Sequence, residues 1–306
     1  MKYYPLLFLA ALVLPLSACH EDDDLQTDWY VNSSTGWDSS DGDYCCPLRT
    51  ITEAMRRANT NDVIFVEPAT YTIFTGETFP IFVKANVTIE GNVNLKGTDT
   101  FVQGGGAYTV TGGTASPTNA TFILHEGARL RGIKVTNTNT GGIGVGVDNV
   151  TAYIELNSIT ENLSDGIALF QAGSTLITNN DILSNTGNGI QTYDSTTPTL
   201  RGNNISSNTL QGVLTTGNSA PDLGTSGLEG NNTLQNNSQV GLYHQSGALQ
   251  INAIGNIWNP DKQDASSLGG YTSSDAQTGI VTHVPTDNFA NDNGASTILG
   301  VLDTSP

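Results

Sequence analysis

The chain has 306 residues, of which 13% are charged, and its 11 Lys and Arg against 29 Asp and Glu leave a net charge of −18. Only Arg201 and Lys262 lie beyond Lys134, so the C-terminal half lacks the clustered cations that phosphate backbones require. Nucleic acid is excluded as a partner, and polyanionic glycans are disfavoured unless Ca²⁺ bridges the charges.

Residues 1–18 read as a secretion signal: Met1–Lys2 is followed by the apolar run Leu6–Leu16, too short to span a bilayer comfortably. The run ends Leu16-Ser17-Ala18-Cys19, which resembles the lipobox of bacterial lipoproteins. The resemblance implies cleavage before Cys19 and its acylation. With His and not Asp at position 20, it also implies anchoring in the outer membrane of a Gram-negative envelope, with the lipid chains holding the protein to the membrane. Residues 19–28, with His20-Glu21-Asp22-Asp23-Asp24, form an acidic tether.

From Trp29 the pattern changes. Trp29–Gly36 reads as a first strand and turn, and Asp38–Asp43 as a polar loop. Cys45 and Cys46 follow. Adjacent cysteines close only a strained ring if bonded to each other, yet in an oxidising envelope that bond is the expected state, with a disulfide to a partner as the alternative. Leu48, Ile51, Ala54, Met55 and Ala58 have helical spacing, and Thr50 with Glu53 has capping-box spacing, which predicts a helix over 48–59. Asn61–Val66 and Glu67–Tyr71 predict a strand and a tight connection.

The stretches Pro47-Leu-Arg-Thr-Ile-Thr-Glu-Ala54 and Ala58–Tyr71 resemble the N-terminal domain of unknown function found in many secreted bacterial β-helix proteins, although Ala69 stands where that pattern has Gly. The later repeats resemble parallel β-helix coils of the pectate-lyase-like superfamily. Together the resemblance covers roughly residues 29–260. It implies a fold and leaves function open, because the superfamily holds lyases, hydrolases, binding proteins and adhesins.

Irregular coils are expected over Phe82–Glu90, Val93–Phe101, Tyr108–Gly112 and Phe122–Val135, with Gly104–Gly106 and Gly112–Asn119 as loops leaving the body. Regular coils then run over about 142–258. Asn157, Asn180, Asn203 and Asn232 head four copies of one pattern, at intervals of 23, 23 and 29 residues. In each copy a second Asn follows five residues on (Asn162, Asn185, Asn208, Asn237) and a Gly four after that. A fixed period of this length means stacked units, none able to bury its apolar face alone. The apolar residues alternate with the period of a strand. The Asn columns suit hydrogen-bonded amide ladders. Gly at the turns is read as permission for positive φ. The long interval is read as a loop extruded at Pro221–Gly230, and Tyr271–Val284 as the last strands, with 285–306 a cap or loose tail. The fold expected over 29–284 is all-β: a single-stranded right-handed parallel β-helix with a short N-terminal capping helix.

If Ile167, Ile190, Val213 and Leu242 point inward, the alternation turns Ala168, Gln191, Leu214 and Tyr243 outward in one column and Phe170 and Tyr193 in the next. Phe170, Tyr193, Asp194 and Tyr243 are therefore the glycan-binding candidates, since rings and polar edges suit a sugar chain. For catalysis the carboxylates are Asp165, Asp181, Asp194 and Asp222 and the arginines Arg129, Arg131 and Arg201; none forms a clustered motif, so no catalytic residue is assigned. His125, His244 and His283 are far apart, His244 at an inward position. No metal-ligand spacing occurs, and Ca²⁺ is the one cofactor admitted. Two functions follow: a lipid-anchored, non-enzymatic envelope protein binding glycan or another surface component, or a polysaccharide lyase or glycoside hydrolase.

Overall fold

A computed structural model describes residues 28–111, 118–225, 227–239, 241–245, 251–258 and 287–290. The signal, Cys19, the tether up to residue 27 and the strands expected at 271–284 lie outside the described residues.

The chain winds as a right-handed parallel β-helix of three sheets. The first has seven strands, running from Asp28–Val31 to Thr199–Arg201; the second has eight, from Thr70–Tyr71 to Ile257–Trp258; the third begins at Ile81–Val83. One coil of the regular region contributes Ser158–Thr160 to the second sheet, Ile167–Phe170 to the third and Leu176–Thr178 to the first. The next coil repeats this with Asp181–Leu183, Ile190–Tyr193 and Thr199–Arg201. Stacking every coil on the last pairs Ile167 with Ile190, Ile190 with Val213 and Val213 with Leu242. These residues are fully buried, as are the Ile159–Ile182–Ile205–Leu234 and Ile154–Ile177–Leu200 columns from the other two sheets. Three apolar columns thus converge on one axis and make the core continuous along the solenoid.

Two of the three bends in each regular coil are held by the Asn ladders. Oδ1 of Asn180 accepts from both the backbone N–H (2.9 Å) and the Nδ2 (3.1 Å) of Asn157, while Nδ2 of Asn180 donates to the Ile154 carbonyl at 2.7 Å. The same pattern links Asn180 to Asn203 and Asn203 to Asn232, and a second ladder links Asn162, Asn185, Asn208 and Asn237. The first ladder continues to Asn256, at 2.9 Å from Asn232. An inward-turned amide satisfies both a backbone donor and a backbone acceptor that the bend would otherwise bury unpaired.

The role expected for the repeated Gly is corrected. The left-handed residues sit just before the ladder Asn and are mostly not Gly, among them Leu156, Glu161, Ser184 and Ser207, all with φ between 55° and 60°. Gly166, Gly189 and Gly212 are not in that region. A Cβ on Gly189 would lie 2.7 Å from the Gly212 carbonyl oxygen and 2.5 Å from Cγ2 of Ile205. These glycines are there because successive coils approach closely, not because the turn requires positive φ.

The helix occupies Ile51–Arg57, narrower than expected, with Thr50 as N-cap accepting from the Glu53 N–H at 3.0 Å. It buries Ile51, Ala54 and Met55 over the first coil, where an open core end would otherwise meet water. Two irregular segments differ from expectation. Val93–Leu95 is a 3-10 turn and only Phe101–Gln103 forms the strand. The extruded loop is narrower than expected: Asp222 bridges to Thr199 and Leu223 is fully buried, so 222–223 stand in for a further rung of the first sheet, and the part that protrudes is the turn closed between Thr225 and Leu228, with Leu228 exposed. Within the expected C-terminal cap, Asp287–Ala290 pairs antiparallel with Leu242–Gln245.

Candidate functional site

The outer face of the third sheet carries the sequence candidates in the expected register. Phe170 pairs with Tyr193, and Gln191, Leu214 and Tyr243 form the neighbouring column. The Phe170 and Tyr193 rings stack with centroids 5.0 Å apart and planes 21° from parallel. The expectation of an open aromatic strip is corrected at Phe170, which is only 3% exposed. Gly106–Tyr108 folds back antiparallel onto Thr118–Leu124, and with Val110 it covers a second apolar cluster of Ala120, Ile123, Ile143, Ala168 and Phe170. The Gly104–Gly106 stretch therefore does not leave the body. It is the start of a strap that roofs half of this face.

One carboxylate fastens the strap. Asp148, in register with Phe170, accepts at Oδ2 from the Tyr108 hydroxyl (2.6 Å), the Thr111 N–H (2.6 Å) and the Thr111 hydroxyl (2.7 Å). Burial, and then the hydrogen bond and charge of Asp148, push the Tyr108 hydroxyl well above its ordinary range. Sequence reasoning missed Asp148, Tyr108 and Thr111. The signal was the register itself, which sets a charged residue beside Phe170.

Beyond the strap's edge Tyr193 is half-buried, Phe170 behind it and water before it. Asp165 lies at the turn that leads into the Ile167 strand and is nine-tenths buried. Its Oδ1 accepts from the Asn188 N–H at 2.7 Å and from Asn188 Nδ2 at 2.9 Å, and that Nδ2 also donates to Gln191 Oε1 at 3.0 Å. Burial drives the Asp165 carboxyl up to about 6, against the opposing pull of the Asn188 bonds. Burial, then the charge of Asp165, also raise the Tyr193 hydroxyl. Asp194 takes the left-handed corner after Tyr193 (φ 59°), its carbonyl accepting from the Ser219 hydroxyl at 2.6 Å. Tyr243 is half-buried and packs against the main core cluster. The structure thus brings Tyr193, Asp194, Asp165 and Gln191 onto one face, puts Tyr243 in the adjacent column two coils on, and removes Phe170 from the surface.

The remaining charged candidates are dispersed. Asp181, on the second sheet, is 2.7 Å from Lys96. Asp222 and Arg201 pair at 2.5 Å on the first sheet, where Arg129 also pairs with Glu155. His125 is exposed, 6.1 Å from the Phe82 ring. His244 pairs with Thr215 in the inward register, and His283 lies outside the described residues. The vicinal disulfide is also corrected: Cys45 is a free, exposed thiol, so it is not joined to Cys46. The local turn is instead closed by Asp43 Oδ1, which accepts from the Cys46 N–H at 2.6 Å, without the strain of a vicinal ring.

Comparison with solved structures returns β-helix proteins at low identity. Pectate lyase Pel9A is 16% identical with a TM-score of 0.48, covering 69% of this chain and 54% of that one. The periplasmic alginate epimerase AlgG, as its D317A mutant, is 18% identical with a TM-score of 0.35, covering 66% and 44%. A GH136 lacto-N-biosidase from Eubacterium ramulus is 12% identical with a TM-score of 0.27, covering 76% and 62%. The chain thus spans about half the length of the first two of these proteins. No curated protein matches it. A family model does match, over residues 34–263, and across that span the chain belongs to the family described as protein of unknown function DUF1565.

Proposed function

We propose that the chain is a lipid-anchored envelope protein that binds a glycan along the outer face of its third sheet, beside the edge of the strap, and does not itself cleave it. The observation that carries this reading is the Tyr193 ring. It is backed by Phe170 at 5.0 Å, partly exposed, and has the Gln191 amide and the largely buried Asp165 carboxyl beside it. A ring held rigidly by a second ring presents a flat face to the C–H side of a sugar at little entropic cost, and the amide and carboxyl supply hydrogen bonds to its hydroxyls. Anchoring rests on the lipobox-like Leu16–Cys19.

The test is a glycan array together with binding titrations of Tyr193→Leu, which removes the ring but keeps an apolar cover over Phe170. Loss of glycan binding at an unchanged melting temperature is the expected result; a loss of stability with binding intact would mean that Tyr193 only seals the Phe170 cluster. A second reading, a polysaccharide-cleaving enzyme, is favoured by one observation: a carboxyl raised to about 6 is suited to donate a proton near neutral pH. A product assay on a polysaccharide panel, with Asp165→Asn as control, separates the two.

A further inference from the structure

The outer face of the first sheet holds a second constellation. Tyr30 pairs with Phe65, Phe65 with Glu90, and Glu90 with Arg131, so four side chains stand in one outward column at strand spacing, about 4.8 Å apart. The Tyr30 and Phe65 rings stack at 5.2 Å and 24°, and the exposed Tyr44 meets Tyr30 edge-on at 5.4 Å. Next to this platform is a hollow of about 200 Å³ lined by Phe65, Pro68, Glu67, Glu90 and Asn92. One strand beyond Glu90, and outside the lining of the hollow, the Arg131 Nε lies 3.5 Å from Glu90 Oε2, too poorly placed for a hydrogen bond, and is a buried donor with no hydrogen-bond partner among the described residues.

We propose that the Tyr30–Phe65 platform, the hollow and the Arg131 guanidinium form a subsite for one neutral hexose of a glycan. A buried, unpartnered N–H is costly and calls for an acceptor. A ligand hydroxyl inserted between Glu90 and Arg131 provides one, and a hydroxyl in the hollow can donate to the Glu90 carboxylate that lines it. The column from Phe65 to Arg131 spans roughly 10 Å, two strand spacings, which places a pyranose over the Phe65 ring with its hydroxyls within reach of Glu90 and Arg131. Neutrality follows from charge: two carboxylates, Glu67 and Glu90, line the hollow against one guanidinium, in a chain of net charge −18. A uronate there would face uncompensated repulsion. The ligand class is that of the third-sheet reading, but the residues are on another face, so the two stand or fall separately.

The test uses the full chain in detergent and titrates neutral gluco-, manno- and galacto-hexaoses, with hexagalacturonate as the anionic comparator. Phe65→Leu keeps apolar volume and removes the ring; Arg131→Lys keeps the charge and removes the Nε donor. Saturable binding of a neutral hexaose, weakened on the order of tenfold by either variant, is the expected result. Arg131 is at the surface, so Arg131→Lys remains informative if Phe65→Leu loosens the Tyr30 stack. Three outcomes overturn the proposal: no neutral hexaose binds, hexagalacturonate binds more tightly, or both first-sheet variants bind as the parent does. The last would leave the third-sheet reading standing alone.

Discussion

Asp165→Asn should gain stability relative to the parent as pH rises from acid towards neutral. The Asp165 carboxyl titrates at about 6 in the fold against an ordinary 3.8. Between those values the folded state holds a proton that the unfolded state has lost, so stability falls as pH rises through that window. The difference of about 2 units corresponds to about 3 kcal/mol lost above pH 6, as an upper bound. The amide substitution is tolerable because the next coil already uses one: Asn188 Oδ1 accepts from the Gln211 N–H at 3.2 Å, as Asp165 Oδ1 accepts from that of Asn188. Any fixed cost of the new NH₂ group, about 1–3 kcal/mol if it is left unpaired, is the same at every pH. It cancels when the slope is read instead of the height. Urea unfolding of parent and variant should therefore be compared across a pH series from 4 to 8. The expected result is a stability gap that opens in favour of the variant as pH rises through the window and then levels off. A gap that stays constant across the series would refute the reasoning, since it would mean that Asp165 is not desolvated in the fold.

Ile190→Ala should cost about 2–5 kcal/mol in the same assay, because Ile190 is fully buried between Ile167 and Val213. Asn185→Ala should cost about 1–3 kcal/mol by leaving the Asn162 amide and the Ile159 carbonyl without their partner. Gly189→Ala should destabilise by roughly 1–3 kcal/mol through overpacking against the Gly212 carbonyl; a neutral result would show that the coils can part at little cost. Mass spectrometry of the membrane-extracted protein should find an acylated N-terminus at Cys19, lost in Cys19→Ser; an unmodified soluble product starting elsewhere ends the anchoring claim.

The regular coils were legible because two periods coincide there. Alternation along each strand sets which side chains turn inward, and the 23-residue interval sets which of them stack, so the register of Ile167, Ile190 and Val213 could be read without coordinates. The cover over Phe170 could not be read in this way. It comes from Gly106–Tyr108, some sixty residues earlier in the chain, pairing antiparallel where everything around it is parallel, and a Gly-rich segment without periodicity carries no signal of where it will land. The glycines misled for a related reason. Sequence shows that a position admits no side chain, but not whether φ or a neighbouring backbone forbids it, and at Gly189 it is the neighbouring coil.

Inside the solenoid every regular coil meets the same demand, an apolar wedge and an amide at two of its three bends, so inward positions repeat almost without change. Outward positions face no such demand, and a departure from repetition there needs another cause. Asp165, Asn188 and Gln211 occupy one column, and only the first is a carboxyl, held buried at a cost that its neighbours avoid. Asp148 begins a column that continues as Phe170 and Tyr193, and it spends its charge on fastening the strap. In the first sheet the rings of Tyr30 and Phe65 give way to Glu90 and then Arg131, the last with a buried donor that has no hydrogen-bond partner among the described residues. Asp148 has a structural partner that accounts for it. Asp165 has a neutral amide and not a cation as its partner, and Arg131 meets Glu90 at 3.5 Å with its Nε left without a hydrogen bond among the described residues. That is why the two binding proposals fall on their faces of the solenoid and not on the second sheet, where Lys96 and Asp181 already answer each other at 2.7 Å.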